Sequence, residues 1–405
     1  MLAMTIRAPS PPDTSTVHRR LAPARARLAA RDDAIVRSQI TIAQIAAPTG
    51  EEHERGGWVA RRFRDCGLSD IHTDDAGNVI GRRAGIDDAP PVVICAHLDT
   101  VFPRTTDLAV KRDGERLVGP GINDNGRGIA VMLALAAEID GARLRTRRPV
   151  EFVATTGEEG NGDLRGAKHY FASRGGTAHA AIALDGAGDE RIIHRALGSR
   201  RFRVVFTGPG GHSWAAFGVV NAVHAAASAA TRLANLRLPL SPRTTLSVGR
   251  IGGGLSVNSI PASAWLEIDV RSSSRAQLEE LERTIRRVAD GAADEENARR
   301  AAGTPPLLVR TDAIGARPCG ETPVEHDLVQ SAIDATRLVG REPDLALAST
   351  DANIPISRGI PAIAIGAGGR GGDAHTHSEW FDNVHGTVGV ARALTIVISA
   401  AGLGA

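Results

Sequence analysis

The stretch VVICAHLDTVFP, residues 92–103, carries the strongest fold signal in this chain. An apolar run that is typical of a buried strand ends abruptly in His97 and Asp99. Because side chains two residues apart on an extended chain point to the same face, the imidazole and the carboxylate project together. The stretch therefore predicts a buried strand that delivers two polar groups to one point at its carboxyl end.

The same pattern recurs along the chain. RRPVEFVATTGEEG (147–160) is an apolar strand followed by acidic residues, and AHAAIALDGAG (178–188) repeats this arrangement. Between the first two strands, NDNGRGIAVMLALAAEI (123–139) has the apolar spacing of a helix. Strands that alternate with helices predict an α/β domain with a largely parallel sheet and helices on both faces. Ligands of such sheets bind beyond the carboxyl ends of the strands, where these polar clusters fall.

The pattern changes near Ser199. From RRFRVVFTGPGGHSW onward, the segment has the order β-α-β-β-α-β, which is typical of a ferredoxin-like α+β domain. We therefore expect an inserted lid or dimerisation domain at 199–312. The catalytic domain is expected at 30–198 and 313–405, after a disordered or loosely ordered leader at 1–29.

Composition limits the partners and the location. Lys and Arg total 48 against 46 Asp and Glu, so the net charge of +2 gives no reason to expect nucleic acid or an acidic membrane surface as a partner. Three widely spaced cysteines favour a reducing compartment over a disulfide framework. Without an apolar segment long enough for a signal peptide or a membrane span, the chain is expected to be cytoplasmic.

The polar groups at the predicted strand ends form a candidate metal site. Each has an ordinary structural explanation when taken alone, such as a turn or a helix cap. Together they offer imidazoles and carboxylates without a thiolate, which excludes a finger-type zinc site and suits Zn²⁺, Co²⁺ or Mn²⁺. Two of the histidines with three of the carboxylates already exceed the needs of one tetrahedral ion, and they fit two ions that share a carboxylate. The groups are His97, Asp99, Asp124, Glu158, Glu159, Asp185, His375 and His377.

An ordered set of motifs resembles one family of dinuclear zinc hydrolases. The motifs are AHLDTVFP, GPGINDNGRG, TTGEEG, LDG, GGHSW, VNSIP, DVR and AHTHSEW, and the resemblance extends from about residue 30 to residue 397. The family includes peptidase T, carboxypeptidase G, aminoacylase, acetylornithine deacetylase and succinyl-diaminopimelate desuccinylase. It implies two Zn²⁺ ions per chain, with Co²⁺ or Mn²⁺ as substitutes.

The resemblance also implies roles for individual residues. The metal ligands would be His97, Asp124, Glu159, Asp185 and His375, with Asp124 bridging the ions and followed by a cis peptide bond. His375 is preferred to His377 because it lies four residues before a glutamate. Glu158 would be the base that activates a metal-bridging water, and Asp99 would orient His97 through its other ring nitrogen. His212 would reach the partner subunit's active site and stabilise the oxyanion.

Substrate binding and assembly follow from the same resemblance. Asn258 and Arg271 match positions that bind polar groups of the substrate, often a carboxylate, although a structural ion pair remains open for Arg271. Backbone N–H groups of Gly368 and Gly369 could also face a substrate carboxylate. The inserted domain, 199–312, is expected to form a homodimer.

The residue at position 185 separates two reaction classes. Asp185 within LDG is typical of the peptidase members, whereas the deacylases usually have Glu there. We therefore expect a metal-dependent exopeptidase of aminopeptidase, dipeptidase or tripeptidase type acting on short peptides. The alternative is an N-acyl amino acid deacylase or a carboxypeptidase. A non-catalytic relative would be expected to lack Glu158 or a ligand, and none of these is missing. A nucleotide-binding protein would need G-x-G-x-x-G after the first strand, and the sequence lacks this motif there.

Overall fold

The computed structural model describes residues 13–139, 144–173 and 177–404, and it contains two compact units. Unit 1 combines Met1–Arg195 with Glu321–Ala405, and unit 2 is the segment Ala196–Gly320 between them. Unit 2 begins earlier and ends later than the predicted range 199–312. The reason is that its first and last long strands, Gly198–Thr207 and Leu308–Arg317, extend past those limits.

The first part of unit 1 alternates helices with strands. Its helices are α1 (Thr14–Arg20), α2 (Ala22–Ala30), α3 (Asp32–Ala43), α4 (His53–Asp65), α5 (Gly126–Glu138) and α6 (Arg165–Ser173). Its strands are β1 (Ser69–Thr73), β2 (Val79–Arg83), β3 (Val92–His97), β4 (Lys111–Asp113), β5 (Arg116–Val118), β6 (Val150–Thr155), β7 (Ala180–Leu184) and β8 (Arg191–Ala196).

Unit 2 and the second part of unit 1 complete the chain. Unit 2 contains β9 (Gly198–Thr207), β10 (Gly211–His212), α7 (Ala222–Ala234), β11 (Thr244–Gly253), β12 (Ser259–Ile260), β13 (Ser263–Ser272), α8 (Arg275–Ala298) and β14 (Leu308–Arg317). After it come β15 (Gly320–Glu321), α9 (Asp327–Leu338), β16 (Asp344–Ala348), α10 (Asn353–Ser357), β17 (Ala362–Ile365), β18 (Arg370–Gly372), β19 (Trp380–Asp382) and α11 (Gly386–Ala401).

The central sheet of unit 1 is parallel in its middle and antiparallel toward its edges. Its order is β1-β2-β6-β3-β7-β17-β8-β15, with β16 also paired to β8. The strands β6, β3, β7 and β17 run parallel, whereas β2 and β8 pair antiparallel with this block. All six residues of β3 are buried, and because side chains alternate between faces, both faces of the sheet are covered. A parallel centre places the carboxyl ends of β6, β3 and β7 at one edge.

Unit 2 has its own sheet and its own core. The antiparallel sheet has the order β11-β13-β9-β14, and the main elements follow one another as β-α-β-β-α-β. Phe202, Val204 and Phe206 alternate along β9 and pack in a core with side chains of α7 and α8. Helix α8, with 24 residues, is amphipathic. Across the parts of the chain that the structure describes, no helix has both the length and the apolar character needed to cross a membrane.

The predicted leader is wrong for residues 13–29. Helices α1 and α2 occupy almost all of this range, and Val17 and Leu21 are buried in the core of unit 1. The ring of His18 contacts the hydroxyl of Thr395 in α11, with 3.1 Å between Nδ1 and Oγ1. The Pro, Ser and Thr content suggested a loose segment, but packing of the apolar face against α9 and α11 stabilises the helices. Residues 1–12 lie outside the described part of the chain.

Candidate metal centre

Neighbouring strands bring the predicted metal ligands of unit 1 to one edge of its central sheet. His97 is the last residue of β3, opposite Thr155 at the end of β6 in the parallel register. Glu158 and Glu159 follow β6, and Asp185 follows β7 on the other side of β3. Asp124 lies just before α5, and the peptide bond that links it to Asn125 is cis, as the resemblance implied.

The carboxylate of Asp124 lies between the two histidines. Its Oδ1 atom is 3.0 Å from Nε2 of His97, and its Oδ2 atom is 3.2 Å from Nε2 of His375. Nε2 of His375 is also 2.8 Å from Oε1 of Glu159, and Nε2 of His97 is 3.9 Å from Oδ1 of Asp185. Two triads with potential ligand atoms within 4.8 Å of one another therefore share Asp124. One contains His97 and Asp185, and the other contains Glu159 and His375.

These donor sets fit two divalent cations. Ligands at about 2.0–2.2 Å from a tetrahedral ion lie roughly 3.3–3.6 Å from each other. The separations of 2.8–3.9 Å between nitrogen and oxygen atoms bracket that value. The donors are imidazoles and carboxylates, which suit Zn²⁺ and similar ions. Glu158 forms a third such group with His97 and Glu159, so one more carboxylate lies beside the two triads.

Several groups of the cluster have raised pKa values, so they hold protons more tightly than such groups do in water. Burial and the charge of Asp124 raise the pKa of Asp185 to about 7 and also raise the pKa of Glu159. The hydrogen bond to Asp124 raises the pKa of His375 to about 9. Burial opposes ionisation of Asp124, but hydrogen bonds from both histidines outweigh it and lower the pKa of this carboxyl. Metal ions bind deprotonated ligands, so a cation that enters this cluster must displace protons.

The carboxylate of Asp99 binds the loop that carries Glu158 and Glu159 more closely than it contacts His97. The closest partner of Nδ1 of His97 is the backbone carbonyl of Asp99 at 3.0 Å, whereas the Asp99 carboxylate is 3.6 Å away. That carboxylate is fully buried and accepts the N–H groups of Glu158 and Glu159, both at 2.9 Å. Asp99 therefore contacts the ring of His97 mainly through its backbone carbonyl, and its carboxylate is the more distant acceptor. When neutral, His97 keeps Nε2 free to bind a cation.

Glu379 is a supporting residue that the sequence did not reveal as such. It is fully buried, and its Oε1 atom accepts the N–H groups of Asn123 and Asp124, both at 2.8 Å. Its Oε2 atom accepts the N–H group of Gly121 at 3.0 Å. Burial raises the pKa of Glu379 to about 7 despite these hydrogen bonds. The only sequence signal was its spacing from His375, which served to choose a ligand and gave Glu379 no role of its own.

Two asparagines connect the segments that carry Asp124 and Asp185. The side-chain oxygen of Asn125 accepts the N–H groups of Gly128 and Gly186, and its Nδ2 donates to the carbonyl of Leu184 at 2.8 Å. The side-chain oxygen of Asn123 accepts the N–H group of Ala187 at 2.7 Å. These bonds tie the turn before α5 to the end of β7.

The structure separates the two histidines of HTHSEW. The ring of His375 is in the cluster, whereas the ring of His377 lies against Phe102, with the ring centroids 5.7 Å apart. His375 is half exposed and adopts a positive φ of 68° in the turn between β18 and β19. Among the two, the geometry therefore favours His375 as the ligand.

The remaining predicted residues are not part of this cluster. His212, Asn258 and Arg271 lie in unit 2. The carbonyl of Asn258 accepts the N–H group of Ser213 at 3.0 Å, so the segments of His212 and Asn258 are neighbours. Arg271 donates from Nε to Oδ2 of Asp269 at 2.8 Å, which is the structural ion pair left open above.

Gly368 does not offer the N–H group that was predicted for it. That group donates to the carbonyl of Gly188 at 2.9 Å, and a Cβ atom at this position would come within 2.5 Å of the carbonyl of Gly386. A Cβ atom at Gly369 would lie 2.5 Å from the ring of Phe381. Both glycines also have positive φ angles. The backbone conformation and the lack of space for a Cβ atom explain why glycine occupies these two positions. The N–H group of Gly368 is already engaged, and substrate contact at Gly368 and Gly369 stays a prediction.

The sequence is also similar to those of known proteins. Residues 93–399 match the peptidase family M20/M25/M40. A protein of Aspergillus terreus named as a probable carboxypeptidase is 27% identical over 341 residues, which cover 75% of this chain and 78% of the relative. The succinyl-diaminopimelate desuccinylase of Corynebacterium glutamicum is 25% identical over 346 residues, which cover 83% of this chain and 88% of the relative.

A solved structure shares the fold. The crystal structure of aminopeptidase PepT from Bacillus cereus superimposes with a TM-score of 0.72 at 22% identity, covering 91% of this chain and 98% of that one. The similarity extends over nearly the full length of both chains.

Proposed function

The chain belongs to the peptidase family M20/M25/M40 and is a metallohydrolase, and we propose that it is an exopeptidase acting on short peptides. The observation that carries the proposal is the position of the Asp124 carboxylate between His97 and His375, with Glu158 beside the same group. This arrangement supports a pair of divalent cations that share one carboxylate, together with a spare carboxylate for proton transfer.

We propose that two Zn²⁺ ions bind here. His97, Asp124 and Asp185 would hold one ion, and Asp124, Glu159 and His375 would hold the other. When bound, the ions would lower the pKa of water and polarise the scissile carbonyl. Metal analysis of the purified protein tests this step. We expect close to two ions per chain, and an active protein without divalent metal would contradict the proposal.

Glu158 is the proposed general base. It takes a proton from the attacking water and returns that proton to the leaving amine. Glu158 is 6% exposed, and its backbone N–H group donates to the carboxylate of Asp99. The Glu158 carboxylate therefore starts from a defined position. The Glu158→Gln variant should lose at least ~100-fold in kcat while both metal ions remain bound. Loss of a metal ion in that variant would instead identify Glu158 as a ligand.

His212 is the proposed oxyanion donor. Its Nδ1 atom accepts the backbone N–H of Trp214 at 3.2 Å, so the neutral ring carries its proton on Nε2. An exposed Nε2–H group is suited to donate to the negative oxygen that develops during amide hydrolysis. The His212→Ala variant should lower kcat without changing metal content.

Unit 2 is also the proposed site of homodimer formation. Trp214 and Phe217 are each 88% exposed, and Leu255 and Val257 are completely exposed on the neighbouring loop. Apolar side chains that are clustered and exposed are typical of protein–protein contacts. Sedimentation of the wild type and of the Trp214→Ser/Val257→Ser variant tests this, and a folded wild-type monomer would contradict it.

Substrate class is the part of the proposal that needs a direct comparison. Asp185 favours peptides, whereas the probable carboxypeptidase and the desuccinylase among the relatives favour the alternative, an N-acyl amino acid deacylase or a carboxypeptidase. Kinetics with a free dipeptide, an N-blocked dipeptide and an N-acyl amino acid separate these reactions. Preference for the free dipeptide supports the exopeptidase of aminopeptidase or dipeptidase type. Preference for either blocked substrate supports the alternative.

A further inference from the structure

The loop that carries Glu158 is held through four consecutive backbone N–H groups. That of Thr156 donates to the side-chain oxygen of Asn78 at 3.0 Å, and that of Gly157 donates to Oε1 of Glu52 at 3.0 Å. The next two, of Glu158 and Glu159, donate to the carboxylate of Asp99. Each N–H group of this short segment therefore has a side-chain acceptor from elsewhere in unit 1.

Glu52 is the acceptor with the widest set of connections. It is 4% exposed, and its Oε1 atom also accepts the N–H group of Gly50 at 2.9 Å. Both of its oxygens lie 3.2 Å from Nη2 of Arg165 in α6. Glu52 thus joins the segment before α4, the end of β6 and the start of α6. Its charge is balanced by the guanidinium group of Arg165, and within the described parts of the chain no proposed metal ligand is hydrogen-bonded to it.

We propose that Glu52 is a positioning residue for Glu158, an inference that rests on the proposed role of Glu158 as the base. Glu52 acts through the backbone of Gly157, the residue directly before Glu158. Without this acceptor the peptide plane at Gly157 can rotate, and the Glu158 carboxylate loses its defined starting position. Misplacement of a catalytic group by about 1 Å can cost on the order of 100-fold in rate.

A cavity beside Glu52 makes this role open to a chemical test. Glu52, Thr156 and Arg165 line a cavity of about 610 Å³, together with residues of the β1–β2 turn. A small carboxylate such as formate or acetate can enter a space of this size. In a variant that lacks the Glu52 side chain, such an ion can occupy the vacated position beside Arg165 and accept the N–H group of Gly157.

The experiment compares Glu52→Ala, Glu52→Gln and the control Glu54→Gln, which changes an exposed glutamate two residues later, in the first turn of α4. Each variant is loaded with Zn²⁺ and assayed on the substrate that the wild type prefers. We expect Glu52→Ala to lose about 10- to 100-fold in kcat with KM within about twofold and with metal content unchanged. Glu52→Gln keeps an acceptor oxygen and should recover part of the loss. Glu54→Gln should match the wild type.

Formate or acetate should raise the kcat of Glu52→Ala and leave that of Glu54→Gln unchanged. A kcat of Glu52→Ala within about twofold of the wild type would overturn the inference, since a positioning role predicts a larger loss. A loss of kcat that is matched by loss of metal would also overturn it, because the effect would then act through Glu159.

Hydrogen exchange gives a readout that does not depend on activity. In the metal-free protein, the segment 156–159 should exchange about tenfold faster in Glu52→Ala than in the wild type, while β3 should be unchanged. If the wild type hydrolyses none of the three substrate classes, the proposed function fails, and the exchange result still reports whether Glu52 holds this loop. If hydrolysis is normal and the exchange of this segment is unaffected in the variant, only the inference on Glu52 fails.

Discussion

Replacement of Glu379 by glutamine tests whether a residue outside the ligand set determines metal affinity. The carboxylate accepts three backbone N–H groups from the turn that carries Asp124, two at Oε1 and one at Oε2. Glutamine has one acceptor oxygen, so it can keep the pair at Oε1. Its NH₂ group then faces the N–H group of Gly121, and two donors meet in a fully buried position.

The cost of this conflict can be bounded. A buried donor that loses its acceptor costs about 1–3 kcal/mol. The metal-free turn can relax to relieve the conflict, whereas the metal-bound turn must keep Asp124 in place. The difference therefore weakens metal binding, and 1–3 kcal/mol corresponds to an affinity loss of roughly 5- to 150-fold. Loss of one negative charge near the cations acts in the same direction.

Competition between the metal-free protein and a chelating dye measures this affinity. The titration belongs at pH 8, because the pKa of Glu379 is about 7 and the wild-type carboxyl is then ionised. Glu115→Gln is the matched control, since Glu115 is exposed in the turn between β4 and β5. Equal affinities of Glu379→Gln, Glu115→Gln and the wild type would refute the reasoning.

Three further predictions concern the same cluster. His375→Ala should retain about one metal ion per chain after gel filtration, whereas His377→Ala should retain both, because the latter ring lies beside Phe102. Asp99→Asn keeps one of the two acceptors for the N–H groups of Glu158 and Glu159, so kcat should fall about 10- to 100-fold in steady-state assays. Metal affinity should rise with pH up to about 9, because the raised pKa values of His375 and Asp185 keep protons on the ligands below that range. Calorimetry in two buffers of different ionisation enthalpy should show proton release at pH 7, and uptake or no transfer would contradict the assignment.

The residues that the sequence identified share a local signature. His97, Asp185 and the two glutamates each follow an apolar strand, and the rule that parallel strands end at one edge was enough to bring them together. The order β-α-β-β-α-β of unit 2 was equally visible, because each element has its own apolar period. These predictions needed only local pattern and general rules of sheet topology.

The acceptors of backbone N–H groups have no such signature. Glu379 and Gly121 are 258 positions apart, and Glu52 and Gly157 are 105 positions apart. Nothing near a glutamate in sequence shows that its carboxylate will reach a distant peptide group. Asp99 illustrates the same limit, since its carboxylate was assigned to a neighbour two residues away but accepts N–H groups across the sheet. For residues 13–29, burial of Val17 and Leu21 likewise depended on helices from the opposite end of the chain.

Glu52, Asp99 and Glu379 hold the backbone of the ligand loops and together form a supporting layer. There is a physical reason why these three residues are carboxylates. Glu52, Asp99 and Glu379 each accept two or three backbone N–H groups. An amide oxygen can accept two such groups, as that of Asn125 does, but only a carboxylate can accept N–H groups at both of its ends, as those of Asp99 and Glu379 do. A buried carboxylate is costly alone, but several N–H groups compensate it, and nearby cations compensate it further. Glu52 has Arg165 for this purpose. Asp99 and Glu379 form no ion pair with lysine or arginine among the described residues. The buried guanidinium of Arg55 interacts electrostatically with both carboxylates, and bound metal ions would add further positive charge. The supporting layer thus holds the ligand loops in place and, through its excess negative charge, favours the cations that the loops are shaped to bind.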